Sequence, residues 1–277
     1  MNMRTGVCLL VQLMAFWPIW IWYVRRLFGP ADEPLGLLPL LTAAAILYSF
    51  KPVTCDEKGA MRNLGMLGWS SLITIVYAAA YAYLPTLVSA GLAVVAIGLT
   101  ISRICFRTHV HAGVIGLLIL SLPVLHSFQF YGGYPLRLIV ASCAGRLLSL
   151  NGTNVVIEGT GFVWGDIIVA VDAPCSGITM LWTGLYLALT LASIYQFSFW
   201  KTAASSVIAL LLVVAGNIIR AMTLFYTEAG IYHVPAYLHE GVGMAAFAMT
   251  AIAIVLTMNV MRRKWSCVAY SALWVRV

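Results

Sequence analysis

The feature that most constrains this chain is the recurrence of apolar stretches long enough to cross the hydrocarbon core of a bilayer, which is roughly 30 Å thick. Hydrophobic residues make up 62% of the 277 residues and charged residues only 9%, whereas about a quarter of a soluble domain is charged. The pattern predicts an all-α polytopic membrane protein with about eight transmembrane helices. The predicted spans cover residues 7–24, 35–50, 64–84, 86–102, 110–126, 177–195, 202–226 and 242–261.

Two places in the N-terminal half leave the span assignment open. The third and fourth spans are separated only by Pro85, so they form either two crossings joined by a tight turn or a re-entrant pair. The first span follows Arg4, as the apolar region of a signal peptide would. The bulky residues 17–22 provide no small-residue cleavage site, so we expect this span to be retained.

The positive charge of the chain predicts its orientation in the membrane. A net charge of +7 would suggest nucleic acid as a partner of a soluble protein, but in a membrane protein lysine and arginine mark the cytoplasmic loops. With both termini in the cytoplasm, eleven basic residues fall inside and four outside, and Arg220 lies within a span. The inner residues are Arg4, Lys51, Lys58, Arg62, Arg103, Arg107, Lys201, Arg262, Arg263, Lys264 and Arg276, and the outer ones are Arg25, Arg26, Arg137 and Arg146.

The longest connection, residues 127–176, lies outside the cytoplasm in this topology. Residues 134–152 mix polar and apolar side chains at helical spacing, which is typical of a helix lying at the membrane interface. Residues 153–173 are rich in β-branched side chains and are interrupted by glycines, which indicates a small β-hairpin or three short strands. This segment leads directly to Cys175.

These features predict a single membrane domain over residues 1–277. Its parts are five N-terminal spans (1–126), the extracytoplasmic segment (127–176), a three-helix core (177–261) and a cytoplasmic tail (262–277).

Arg220 is the most informative single residue. A charge inside an apolar span is costly unless it is paired or hydrated, so such residues are functional candidates. Arg220 lies roughly 27 Å along the helix from Thr202 at about 1.5 Å per residue, near the outer edge of the core, where an arginine can also simply snorkel to the interface. Asn217 precedes it by three positions and shares its helix face. The pair favours a polar site over a stray charge.

Two further candidates stand at the outer ends of neighbouring spans. Cys175 lies in "VDAPCSGITMLW" where the sixth span begins; it is either a packed thiol or a nucleophile whose pKa is lowered at a helix N-terminus. With Asp172 as the cap, Cys175 would lie in the first turn. His239 lies in "YLHEGVGMAAFAM" at the start of the last span. A lone histidine is more often a surface or core residue than a catalyst.

The sequence gives no indication of a metal or a cofactor. "HEGVG" lacks the second histidine of an HExxH zinc motif, and His109 with His111 would form only a weak ligand pair in a cytoplasmic loop. The six cysteines show no CxxC pair and no disulfide framework.

The predicted topology brings the three candidates to one depth. Consecutive helices are usually neighbours in space, so the thiol of Cys175, the guanidinium of Arg220 and the imidazole of His239 would meet near the outer face. A nucleophile, an oxyanion stabiliser and an acid/base are the groups that acyl transfer requires.

"APCSG", "GNIIRA" and "HEGVG", each near the outer end of one of the last three spans, resemble the exosortase/archaeosortase family, polytopic membrane cysteine transpeptidases of bacteria and archaea. The likeness covers roughly residues 134–261. It implies that Cys175 is the nucleophile, Arg220 the stabilising cation and His239 the third catalytic residue, with Ser176, Gly177 and Asn217 in support. The histidine in third place is similar to the bacterial exosortase branch and so implies the inner membrane.

The resemblance also implies a substrate class. Family substrates are secreted proteins with a C-terminal sorting tail, which carries a short motif such as Pro-Glu-Pro, a membrane helix and a basic cluster. The scissile peptide of such a tail lies at the outer face of the membrane. The expected partners are therefore these proteins and the lipid bilayer, and not nucleic acid.

Three alternatives each fit one feature of the sequence. A transporter or polysaccharide-export component would use Arg220 to line an anion path, but the other spans contain few polar residues. A disulfide between Cys143 and Cys175 is permitted in an oxidising periplasm, although Cys143 lies on a helix-like stretch. An unrelated intramembrane protease would need a GxSxG or paired-carboxylate motif, and neither is present.

Overall fold

The computed structural model of the protein describes residues 3–28, 34–49, 64–105, 110–170, 177–231 and 237–274. These residues form ten α-helices, a short 3-10 turn at Pro34–Gly36 and one small sheet. The helices are α1 (Met3–Ala15), α2 (Trp17–Leu27), α3 (Leu37–Ser49), α4 (Leu64–Ala80), α5 (Thr86–Cys105), α6 (Ala112–Leu120), α7 (Leu125–Leu150), α8 (Ile178–Ile194), α9 (Phe199–Glu228) and α10 (Tyr237–Trp274).

By length and composition, three of the described helices are long and apolar enough to cross a membrane, and a fourth crossing is possible if α6 and α7 form one broken span. The three are Thr86–Arg103, Phe199–Glu228 and Gly241–Arg263. The apolar helices at Pro34–Ser49, Leu67–Ala80 and Ile178–Ile194 are shorter. A multi-pass membrane protein is therefore confirmed, while the number of eight crossings and the orientation of the termini stay predictions.

The main differences from the predicted spans occur near prolines. The first span is divided at Phe16 into α1 and α2, and Pro18 lies in the first turn of α2, where its missing N–H costs nothing. The fifth span was expected over residues 110–126, but α6 ends at Leu120, three residues before Pro123. Pro85 ends the turn over residues 81–85 between α4 and α5, and whether these helices make two crossings or a re-entrant pair stays an open prediction.

The described chain divides into two compact units. The N-terminal unit comprises Met1–Pro123 with Leu189–Ala204, and the C-terminal unit comprises Val124–Ala188 with Ser205–Val277. The residues proposed for catalysis all belong to the C-terminal unit.

A fully buried polar cluster joins three helices of the N-terminal unit. Gln12 of α1 donates from Nε2 to Ser70 Oγ of α4 at 2.5 Å, and it accepts at Oε1 from Thr100 Oγ1 of α5 at 2.9 Å. Ser70 also donates to the carbonyl oxygen of Ala96 at 3.0 Å. The three side chains are at most 1% exposed. Hydrogen bonds of this kind hold helices together where the surroundings are apolar.

The predicted β segment is a three-stranded antiparallel sheet in the order β1-β2-β3, with β1 at Val156–Glu158, β2 at Gly161–Trp164 and β3 at Ile167–Ala170. Its two hairpins turn at Gly159 and Gly165, whose φ values are +58° and +60°. Two-residue hairpin turns need this left-handed backbone, which glycine adopts freely. The three-strand alternative is therefore confirmed.

The sheet packs on α7 and α9 and thereby forms the core of the C-terminal unit. Phe162 of β2 is 1% exposed and meets Phe225 of α9 edge-to-face, with ring centroids 5.8 Å apart. Val140, Ala144 and Leu148 of α7 complete this core. The helix expected over residues 134–152 is present, but it begins nine residues earlier, at Leu125, and continues through Pro135.

Small residues allow α8, α9 and α10 to approach closely. A Cβ added to Gly184 of α8 would lie 2.5 Å from Val213 Cγ2 of α9, and one added to Gly216 of α9 would overlap Thr250 Oγ1 of α10. Close approach at small residues is a common way for membrane helices to associate. These contacts pack the three helices that carry the sequence motifs against one another.

Candidate active site

The structure describes some of the predicted site residues and not others. Cys175 and Ser176, with Asp172, lie outside the described residues, and of His239 only the helical backbone is described. Gly177, Asn217 and Arg220 are described in full. The site can therefore be built from the residues that flank each motif.

Gly177, two positions after Cys175, packs against Asn217 of α9. A Cβ added to Gly177 would lie 2.5 Å from Asn217 Nδ2, and Gly177 has a φ of +80°. Both observations require glycine here, because any other side chain would meet the amide and strain the backbone. Asn217 is 2% exposed. The first motif is thus fixed to the second at this contact.

The guanidinium of Arg220 lies against the backbone of Gly243 in α10. A Cβ added to Gly243 would be 3.3 Å from Nη2, 3.4 Å from Nε and 3.5 Å from Cζ, so the planar group lies broadside to the glycine. His239 is four residues before Gly243, and positions four apart share one face of a helix. The second motif is therefore fixed to the third.

The sheet packs on α9 immediately beyond Arg220. Ala221 and Phe225 belong to the same core as Phe162 and Val169 of the sheet, and β3 ends at Ala170. The sheet, which precedes residues 171–176 in the sequence, thus contacts α9 at positions after Arg220. Gly177, which follows these residues, contacts α9 at Asn217. Arg220 lies between these two anchoring points on α9.

One local expectation is wrong. The first turn of α8 does not include Cys175, because the helix begins at Ile178 and Gly177 before it is in the left-handed region. The amide of Leu181 donates to the carbonyl of Gly177 at 2.8 Å, which closes the first turn. The positive end of the dipole of α8 therefore lies at Ile178, whereas Asp172 and Cys175 are outside the described residues.

Cys143 lies within α7 as a half-buried free thiol, and Cys175, its partner in the disulfide alternative, is outside the described residues. Among the residues that the structure describes, no group of three His, Cys, Asp or Glu side chains is placed to hold a metal ion.

The sequence interpretation missed Gly243 as a contact of the arginine. Its position four residues after His239, in "HEGVG", is a weak signal by itself, because a glycine in an apolar helix is common. Only the packing of α10 on α9 shows that this glycine makes room for the guanidinium.

Comparisons with known proteins assign the chain to a family. A comparison with curated proteins found no match, and a comparison with solved structures found none either. The family model described as transmembrane exosortase matches residues 2–256, which include all three motifs and nearly the whole chain. The resemblance first drawn from "APCSG", "GNIIRA" and "HEGVG" is therefore confirmed, and the chain belongs to the transmembrane exosortase family.

Proposed function

We propose that this exosortase is a membrane cysteine transpeptidase that cleaves the C-terminal sorting tails of secreted proteins at the outer face of the bacterial inner membrane. Cys175 is the nucleophile, Arg220 stabilises the oxyanion and His239 is the acid/base. Asn217, Ser176 and Gly177 support them. Family membership supports the general role, and the packing of the motifs supports the assignment of residues.

The observation that carries the proposal is the pair of glycine contacts, Gly177 on Asn217 and Gly243 on Arg220. Two residues of extended chain reach at most about 7 Å, so Cys175 is tethered close to the position of Asn217. Arg220 is one turn further along the same face of α9. His239 is one turn from Gly243. Cys175 is thus two residues from the first contact, His239 is one turn from the second, and Arg220 makes the second contact itself.

In the proposed reaction the Cys175 thiolate attacks the carbonyl carbon of the scissile peptide. A sulfur–carbon bond forms, and the negative charge moves to the oxygen, where the Arg220 guanidinium stabilises it. The tetrahedral intermediate then breaks its carbon–nitrogen bond while His239 donates a proton to the leaving amine. A thioester remains, and water or an acceptor amine attacks it and regenerates the thiol.

The proposed substrate class is the one that family membership implies. A tail whose membrane helix is anchored by a cytoplasmic basic cluster presents its recognition motif at the outer end of that helix. A short motif of the Pro-Glu-Pro kind is what the family resemblance implies for this position, and the residues of this chain do not select the motif.

The decisive experiment measures the ratio of uncleaved to cleaved tail-bearing substrate in cells that express each variant at equal level. Cys175→Ala should abolish cleavage while the protein still inserts, because the change is small. Cys175→Ser should be nearly as inactive, since a hydroxyl lacks thiolate character. Cys143→Ala is the matched control and should cleave like the wild type. Normal cleavage by Cys175→Ala would overturn the nucleophile assignment and favour the transporter alternative.

A further inference from the structure

The N-terminal unit contains an apolar cavity of about 370 Å³ between α2, α3, α5 and α6. Buried side chains from all four helices line it, among them Ile19, Ala43, Ile97 and Leu118. An engineered apolar cavity of about 150 Å³ stays dry and binds benzene, so this larger space suits a longer hydrocarbon.

The polar groups at one end of the cavity already satisfy each other. The hydroxyl of Tyr23 donates to the carbonyl oxygen of Ser121 at 3.2 Å, and Gly36 lies so close to that oxygen that a Cβ would overlap it. The rest of the lining is almost entirely apolar. A buried water needs two to four polar partners, which this lining does not provide, so the cavity favours hydrocarbon over water.

The cavity is open beside α3. Ala44 lines it and is exposed. The lining residues of α5, from Ala93 to Ile101, belong to the span Thr86–Arg103, which is long and apolar enough to cross a membrane. The opening is therefore at the depth of the hydrocarbon core, where the acyl chains of lipids are the abundant apolar molecules.

Two cations lie just beyond the polar end of the cavity. Arg25 and Arg26 are exposed in the last turn of α2, and Arg26 is one turn after Tyr23, on the same helix face. Basic side chains at this position, next to an apolar slot, are complementary to the phosphate of a lipid headgroup. We propose that the N-terminal unit binds one anionic phospholipid, with an acyl chain in the cavity and its phosphate on Arg25 and Arg26.

The acyl-chain part is tested by photo-crosslinking in vesicles of phosphatidylethanolamine and phosphatidylglycerol. The probe is a phosphatidylglycerol with a diazirine at mid-chain, and mass spectrometry locates the labelled peptides. Label should concentrate on residues 93–101 and 118–122. Ala44→Phe at the opening should lower it roughly tenfold, which corresponds to about 1.4 kcal/mol. Ala45→Phe, the exposed neighbour outside the cavity, should leave it unchanged.

Equal labelling of Ala44→Phe and Ala45→Phe would overturn the cavity as the binding site. Each variant is first checked for a single elution peak and a wild-type unfolding temperature. If Ala44→Phe fails that check, the smaller Ala44→Leu takes its place with Ala45→Leu as its control.

The headgroup part is tested with a second probe that carries the same chain on phosphatidylcholine. The wild type should prefer the phosphatidylglycerol probe, and Arg25→Ala combined with Arg26→Ala should remove that preference, whereas Arg146→Ala should not. Inorganic phosphate should not displace the label, because it lacks the chain. Equal labelling by the two probes in the wild type would overturn the role of the two arginines.

Discussion

The two units both bury polar side chains between helices, but with different results. In the N-terminal unit, Gln12, Ser70 and Thr100 are uncharged and hydrogen-bonded to one another. In the C-terminal unit, Asn217 is equally buried, but its neighbour one turn away is the cation Arg220, which lies against a glycine backbone. The first cluster uses its polarity to join helices. The second holds a positive charge at a defined place, as an oxyanion requires.

The comparison shows that polarity inside an apolar helix does not by itself indicate a site. What separates the two clusters is the charge and the glycines. Gly177 and Gly243 have no side chain at the points where Asn217 and Arg220 approach them. In the other cluster, by contrast, the hydroxyl groups of Ser70 and Thr100 are hydrogen-bonded to each other at 2.6 Å. Substitutions in the two clusters should therefore affect different properties.

The largest expected effect is on the rate of cleavage. Arg220→Gln should reduce the initial rate of tail cleavage by the purified enzyme by about 100-fold or more, as the loss of an oxyanion donor does elsewhere. Arg220→Lys keeps the charge but loses the planar fork, so its rate should be intermediate at best.

The matched change in the other cluster is Gln12→Leu, which should keep the rate close to that of the wild type. If Arg220→Gln cleaves normally, or if Gln12→Leu is as inactive as Arg220→Gln, the distinction between the two clusters does not hold.

The next effect concerns the contact between the first two motifs. Gly177→Ala should destabilise the protein by more than Gly152→Ala. The φ values are +85° at Gly152 and +80° at Gly177. A Cβ added to Gly152 has no atom of the described residues within 4 Å, whereas one added to Gly177 meets Asn217. The left-handed backbone costs an alanine roughly 1–2 kcal/mol in both cases, so the difference between the two variants isolates the contact. Thermal unfolding in detergent measures it.

A double variant separates the contact from the backbone cost. Gly177→Ala with Asn217→Ala should recover the excess loss and leave the part shared with Gly152→Ala. If Gly177→Ala and Gly152→Ala are equally destabilising, the segment after Cys175 is not held on Asn217 as the structure indicates.

A smaller effect is expected from the cluster of Gln12, Ser70 and Thr100. Gln12→Leu should lower the free energy of unfolding by about 0.5–2 kcal/mol, since interhelical hydrogen bonds in membranes are individually modest. The loss should fall toward the low end, because Ser70 and Thr100 keep each other and the carbonyl of Ala96 as partners.

The control is Thr257→Val, whose hydroxyl donates to the carbonyl of Ala253 in its own helix and joins no second helix in the described part of the chain. If this variant is destabilised as much as Gln12→Leu, the bonds between helices have no special role.

How far the sequence could predict the molecule depends on the kind of signal each feature leaves. The strands were predictable because Gly159 and Gly165 interrupt a β-branched run at hairpin spacing. Arg220 was predictable because a charge in an apolar span is rare. Gln12, Ser70 and Thr100 were not, because each is unremarkable alone and their bonds join positions 58 and 88 residues apart. The contact between Gly243 and the guanidinium likewise depends on how α9 and α10 pack, which the sequence does not show.

Helices occur where the sequence predicts spans, but their ends differ from the predicted ones. Apolar composition locates a helix, but the end of the helix depends on a few local bonds. The break at Phe16 and the early end of α6 at Leu120 both occur within three residues of a proline inside an apolar run. Pro135, however, lies within α7 without ending it, so the proline alone did not decide the outcome.

The smallest effect is a dependence of stability on pH that arises in the N-terminal unit. His111 lies immediately before α6 and caps it: Nδ1 accepts from the amide of Val114 at 3.3 Å, and its own amide donates to Ser102 Oγ at 3.2 Å. A ring nitrogen that accepts a hydrogen bond must be unprotonated. Burial lowers the pKa of His111 below its ordinary value of 6.5.

The sign of the effect follows from that direction. As the pH falls below about 6.5, an unfolded chain binds a proton at His111 before the folded protein does, so protonation favours unfolding. The stabilising contribution of the neutral ring is complete above this pH and is lost as the pH falls through the lower pKa of the folded state. His111→Asn retains a capping oxygen but does not titrate. Between pH 7.5 and pH 5.5 the unfolding temperature should therefore decrease by more for the wild type than for His111→Asn. An equal decrease in both proteins would show that the cap does not depend on a neutral histidine.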